Sequence, residues 1–451
     1  MSFDRPSLKH TPDKKPDSRH LSTGLLHWLN QRESTRIAVR LPIAIALLLA
    51  FSSCQTTTNQ PSSGLKLGTL LPITGDLAQY GQPMQDSARL LVKTVNNCGG
   101  ILGQPVELIS EDDQTEPAAG ASAMTKLAEV DRVAGVVGSA SSAVSSAAVD
   151  IAVRNQVVQI SPASTSPVFT ERAQKGDFQG FWFRTAPPDT FQGEALAKLA
   201  KNQGFQTVAI LAINNDYGNG LVASFTPAFE ALGGKIVSEP TRYPPDAATF
   251  ESEVNAAFSS NPDAVLLIAY PETGSLVLKS AYQQGLLGKK TKVMATDGLK
   301  DPAIAELVGK NQSGQFIANG LIGTAASAGG PAIAAFRQLY NAEYKRQPSV
   351  YDPNTWDATA LMVLAAEAAK ATTGPALKDK IREVASAPGQ EATDICQALE
   401  LVRQGQDVNY QGASGTLELD AQGDVVGSYD VWTIQNNGGL TVTSQISVGG
   451  S

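Results

Sequence analysis

Two hydroxyl-rich turns stand out for the chemistry they permit. Ser139, Ser141 and Ser142 follow the apolar run 133–137, and Ser161, Ser164, Thr165 and Ser166 follow the apolar run 157–160. Hydroxyls at the start of a helix hold an anion such as a carboxylate, because unpaired backbone N–H groups and the positive end of the helix dipole converge there. The same serines would equally serve as plain caps of helices and turns. Three later turns have the opposite character: NNDYGNG carries Asp216 and Tyr217, AYPETG carries Tyr270 and Glu272, and ATDG carries Asp297. Singly each is an ordinary turn, since Asp-Gly and Tyr-Gly pairs are common there. Together they set a carboxylate and aromatics against the hydroxyls. An anion site facing a cation site suits a zwitterion, and buried charges are tolerated when paired in this way.

Other chemistries find little support. GVVGSASS has glycines at the wrong spacing for a dinucleotide site, and neither a GxxxxGK[ST] loop nor a GxSxG nucleophile motif occurs. Glu111, Asp112, Asp113 and Glu116 lack the alternation and closing Glu of a calcium loop and read as a solvated strand end. All three histidines, His10, His20 and His27, precede residue 54, so a chain beginning there has no His-based triad or His metal site. No cofactor, no metal and no catalysis are expected.

The elements that must position these turns alternate. An apolar strand begins at Leu65, a helix is expected over 83–97, a strand over 106–110 and a helix over 117–130. The strand of the first serine turn then feeds a helical stripe of Val144, Ala147, Ala148 and Ile151. After FWFRTAPP the pattern restarts, with a helix over 190–202, strands over 207–213, 235–238, 264–269 and 292–295, and helices between them. A strand near 316–322 and the stretch GTAASAGGP precede a mainly helical 331–403. GTLELDAQGDVVGSYDVWTI closes the chain with a turn between two strand-like runs. Parallel crossovers of this kind predict α/β architecture with doubly wound, Rossmann-like sheets, whose strand ends share a ligand crevice.

The N-terminus reads as a targeting segment. Residues 1–40 hold eight Lys or Arg, and IAIALLLAF over 43–51 is too short to span a bilayer. FSSC, ending at Cys54, resembles a bacterial lipoprotein cleavage site, with Phe51 where Leu is usual. This predicts a signal peptide with an extended basic leader over 1–53 and a lipidated polar tether over 54–64. Eight of the 35 basic and four of the 43 acidic residues precede Cys54, so a chain starting there carries a net charge of -12. That acidity argues against nucleic acid. Cys98 and Cys396 then remain, a disulfide candidate in an oxidising compartment or else two separate thiols.

From about Leu65 to Ile434 the chain resembles the type I periplasmic binding proteins of branched-chain and related amino-acid ABC importers. The likeness rests on LLPITGDLAQYGQPMQDSARLLVKTVN, GGILGQPVELISEDDQTEP, VVGSASS, ISPASTSP, NDYGNGL, YPETG, ATDGL and GASGTLELDAQGDV. It implies two lobes, 65–187 with 324–415 and 188–323 with 416–451, joined by a three-segment hinge near 186–190, 321–325 and 413–418. The α-carboxylate of an amino acid would be held by Ser142, Ser164 and Thr165. The ammonium would be held by Asp297 with carbonyl help near Ala163, and Tyr80 and Tyr217 would pack around the ligand, with Tyr270 beside them. Asp297 stands where branched-chain binders often have Glu, and Ala269 where some have Tyr, so the ligand's side chain stays open. The implied protein is a monomeric, extracytoplasmic lipoprotein, anchored in the membrane by its lipid, that captures an amino acid for an ABC permease. The alternative is a sensory or regulatory receptor of the same fold for an amide, urea or peptide-like ligand.

Overall fold

The computed structural model describes residues 64–288 and 290–449. The expected signal peptide, Cys54 and the tether up to residue 63 lie outside the described residues.

Apolar runs too short for helices become parallel strands, most of them buried on both faces within the sheets and more exposed at the edges. The first five are β1 (Lys66–Leu71), β2 (Glu107–Asp112), β3 (Gly135–Gly138), β4 (Val158–Ser161) and β5 (Trp182–Arg184), which form a sheet in the order β2-β1-β3-β4-β5. Then come β6 (Thr207–Ile213), β7 (Lys235–Ile236), β8 (Thr241–Tyr243), β9 (Ala264–Ile268), β10 (Lys292–Ala295) and β11 (Ile322–Ala326). A small pair, β12 (Gln390–Ala392) and β13 (Val408–Tyr410), precedes the closing hairpin of β14 (Tyr429–Ile434) and β15 (Leu440–Ile446). The second sheet runs β15-β14-β11-β10-β9-β6-β7, with β8 also on β6. In both sheets strand order reverses between neighbours, β1 beside β3 and β6 beside β9. Such reversals open a crevice at the strand C-termini.

Helices follow the strands they cover. Helix Ala78–Asn97 buries Tyr80, Met84, Ala88, Leu91 and Val95, one face at helical spacing. Helix Asp352–Ala369 is buried over nearly its whole circumference, as a helix without a polar face must be, and packs on Ala78–Asn97 and on β3 and β4. Cys98 and Cys396 are joined by a disulfide with Cα atoms 5.9 Å apart, tying the end of helix Ala78–Asn97 to helix Ile395–Arg403.

Several sequence expectations shift. β11 keeps 322–326 in the second sheet, so the return to the first falls at 327–332 and not at 321–325. Leu417, Leu419 and Val425 pack in the first lobe's core, which moves the last crossing to about 426–428. GTLELD forms no strand, because Asp420 turns the chain by accepting the backbone N–H groups of Gln422 and Asp424. The expected helix over 117–130 changes to π geometry at Lys126–Asp131. No helix among the described residues is long and apolar enough to cross a membrane.

Candidate functional site

The strand C-termini of the two sheets face one another across a narrow cleft. Its inner cavity is lined by Leu77, Tyr80, Ala140, Ser142, Ala163 and Tyr351 on one side and Tyr217, Tyr270, Asp297 and Gly298 on the other. Of this space about 20 Å³ admits the centre of a water molecule. Tyr217 and Tyr270 stack at 5.5 Å, and Tyr80 meets Tyr351 edge-on at 6.1 Å. The walls are therefore aromatic rings carrying hydroxyls, able to pack apolar groups and to donate hydrogen bonds at their tips.

Asp297 sits at the centre. β10 delivers it, and a single turn, Asp297–Leu299, holds it buried. One carboxyl oxygen accepts from the Tyr217 hydroxyl at 2.7 Å, and the other accepts from the Tyr351 hydroxyl. Burial pushes its pKa above the usual carboxylate range, while the hydrogen bonds of Tyr351, Tyr217 and Gln192 pull it back. Burial and the charge of Asp297 together hold the Tyr217 and Tyr351 hydroxyls protonated, so both remain donors. Tyr80 reaches across the cleft to the carbonyls of Asp297 at 3.5 Å and Gly298 at 3.3 Å.

The hydroxyl turns divide the work. Ser142, the first residue of helix Ser142–Arg154, lines the cavity and accepts the Ser166 N–H at 3.3 Å. Ala163 lines it as well. Ser164 does not: its hydroxyl is turned inward, within hydrogen-bond distance of the Ser139 carbonyl at 3.1 Å and the Ser145 hydroxyl at 2.9 Å. It braces one turn against the other. Thr165 is buried and is not among the lining residues; its hydroxyl faces Asp189. Arg184 fixes the backbone on either side of Thr165 by donating to the carbonyls of Ser164 at 3.2 Å and Ser166 at 2.9 Å. Its own charge is met by Asp424 at 2.6 Å.

Sequence reasoning passed over two residues. Tyr351 completes the aromatic wall; its only signal is an aromatic beside the Asp-Pro start of a helix. Asp189, the first residue of helix Asp189–Asn202, is fully buried, with the Thr165 hydroxyl beside its carboxyl. Burial and then the charge of Asp297 push its pKa well up, with Thr165 and Arg184 pulling back by less. Each of the two acids disfavours the charge of the other. The acidic cluster is also less solvated than expected, since Asp113 is buried against the Ser139 hydroxyl with its pKa raised by burial to about 6.

A family model described as periplasmic binding protein matches residues 64–399. Among curated proteins, the substrate-binding protein BasB of a chemotactic signal transduction system in Halobacterium salinarum is 26% identical over 379 residues, 82% of this chain and 87% of that one. A Leu/Ile/Val-binding protein homolog of Brucella melitensis is 27% identical over 296 residues, 65% of this chain and 76% of that one. Among solved structures, a leucine-binding protein of Thermotoga maritima superposes with a TM-score of 0.71 at 25% identity, covering 85% of this chain and 99% of that one. A solute-binding protein of R. palustris in complex with 4-hydroxybenzoate shares the fold, with a TM-score of 0.70 at 18% identity, covering 86% and 98%.

Proposed function

The chain belongs to the periplasmic binding protein family, in its branched-chain amino-acid branch, and from that premise we propose that it captures a free amino acid between its lobes for an ABC permease. The family is extracytoplasmic and binds solutes without transforming them. The carrying observation is the buried carboxyl of Asp297, held by two tyrosine hydroxyls, with the Ser142 helix start on the same cavity. The ammonium sits at Asp297, with Tyr217 and Tyr351 holding that carboxyl in place. The carboxylate meets Ser142 and the N–H groups at the helix start, where the dipole favours an anion. Ser164 acts by bracing, and Thr165 offers its hydroxyl beside Asp189. A ligand bridging both walls favours the shut form, which the permease would read.

The R. palustris relative raises an aromatic carboxylate as a competitor. Asp297, with no Lys or Arg on the cavity lining, opposes a bare anion. A thermal-shift screen separates the ligands: L-amino acids should raise the melting temperature in a dose-dependent way and 4-hydroxybenzoate should not. The reverse result sinks the amino-acid reading. A second reading, a receptor that reports the solute to a signalling partner, is favoured by the likeness to BasB. Loss of uptake on deletion, with behavioural responses intact, decides for transport. We further propose that Cys54 is the lipidated mature N-terminus, motivated by the basic leader and FSSC. Peptide mapping of membrane fractions should find a lipid-modified Cys54 and no residues 1–53, and an intact His10 peptide on the mature protein ends that idea.

A further inference from the structure

Helix Asp216–Ala231 and helix Pro271–Gln283 both start at the cleft mouth, but they are capped differently. The first is capped by its own N-cap residue, Asn215, whose side chain accepts the Gly218 N–H at 2.9 Å. The second has Tyr270 at its N-cap, with no side-chain cap bond. Its third residue, Thr273, instead gives its backbone N–H to one carboxyl oxygen of Asp76 at 2.9 Å and its hydroxyl to the other at 2.8 Å. Asp76 comes from the other side of the cleft, in the loop after β1. It accepts the N–H that an N-cap aspartate ordinarily accepts, and it places a carboxylate at the positive end of the dipole.

The loop presenting Asp76 is rigidly held. Asp112 accepts the N–H groups of Ile73 at 2.9 Å and Thr74 at 3.2 Å, and Thr115 accepts that of Leu77 at 3.1 Å. Gly75 has φ +89°, and a Cβ there would fall 2.0 Å from the Gln114 carbonyl oxygen, so only glycine fits. Asp76 lines the outer chamber of the cleft and not the inner cavity.

We propose that Asp76 is the latch of the cleft, an affinity-determining residue that never touches the ligand. The helix Pro271–Gln283 is capped only while the two walls meet. Parting them leaves the Thr273 N–H to water and removes the carboxylate from the helix start, while helix Asp216–Ala231 keeps its cap. The cap bond thus belongs to the shut form alone and adds to its population. For ligand affinity this rests on the cleft being the capture site; the latch itself does not.

The test is small-angle scattering on the ligand-free protein. Asp76→Ala should raise the radius of gyration over the parent. Thr273→Val, which keeps the N–H bond and loses only the hydroxyl, should raise it less. The unliganded melting temperature should stay close to the parent's, separating a latch from a fold-stabilising role. With L-leucine as probe, dissociation from Asp76→Ala should be roughly 2- to 30-fold faster, the range that a lost cap spans. Superimposable scattering curves for parent and Asp76→Ala overturn the latch. Expanded scattering with unchanged L-leucine kinetics supports the latch and counts against the cleft as the leucine site.

Discussion

On the proposed amino-acid reading, Asp297 has to be acceptable without a ligand and still bind a cation when one arrives. Its two tyrosine donors favour the charge, whereas burial and the nearby Asp189 disfavour it. Exchanging it for Asn keeps the size and removes the charge. A hydrogen bond to a charged group contributes roughly 1.5–3 kcal/mol. Asp297→Asn should therefore weaken amino-acid binding by at least about tenfold, equivalent to 1.4 kcal/mol. The unliganded melting temperature should hold or rise, because a raised carboxyl pKa means the charge costs stability where it exists. The same shift sets a pH dependence. Burial holds the free Asp297 carboxyl above the usual carboxylate range and a bound ammonium would lower its pKa, so binding within that raised range releases protons. Affinity should climb as pH rises through the raised carboxyl range and fall away below it. Calorimetry in buffers of different ionisation enthalpy reads the released proton. Tight, proton-neutral binding by Asp297→Asn would place the cation elsewhere.

At the level of elements, what was legible in sequence is what one strand end can announce by itself. Tyr217, Tyr270 and Asp297 each follow a plain apolar run, and the parallel sheet brings such ends to one crevice regardless of loop detail. What failed depends on which way a side chain turns. Ser164 and Ser142 read alike as turn serines, yet the network of Ser139, Ser145 and Ser161 takes the first and leaves the second at the cavity. Asp189 looked ordinary because an acid in a helix's first turn needs no ligand to explain it. Its burial becomes visible only once β5 and the crossover are packed. β15 escaped because LTVTSQI is an exposed edge strand with no buried face to impose alternation. The turn over 413–414 is held by Asp357 of helix Asp352–Ala369, which accepts the N–H groups of Ala413 at 2.9 Å and Ser414 at 2.7 Å. No local pattern could have announced a bond across 56 residues.

Across the whole molecule, the disulfide stays on one side of the cleft. Cys98 and Cys396 both lie in the layer around helix Ala78–Asn97 and helix Ile395–Arg403, on the β1–β5 side of the cleft. The bond spans 298 residues of sequence, including β6 to β11 of the second sheet, but it ties two elements on the same side of the cleft. For so long a loop the chain-entropy account gives on the order of 5 kcal/mol as an upper figure, with native strain and residual structure commonly reducing it. Replacing both cysteines by Ser should therefore lower the melting temperature by several degrees while leaving amino-acid affinity and the scattering of the free protein unchanged. Arg403, which donates to the carbonyls of Cys98 at 3.0 Å and Gly100 at 2.6 Å, keeps the helix ends together without the bond, so the variant should still fold. An unchanged melting temperature would show that the cross-link adds nothing to stability. A loss of affinity at an unchanged fold would mean that it reaches the cleft, through helix Ala78–Asn97 and its first-turn residue Tyr80, which lines the cavity.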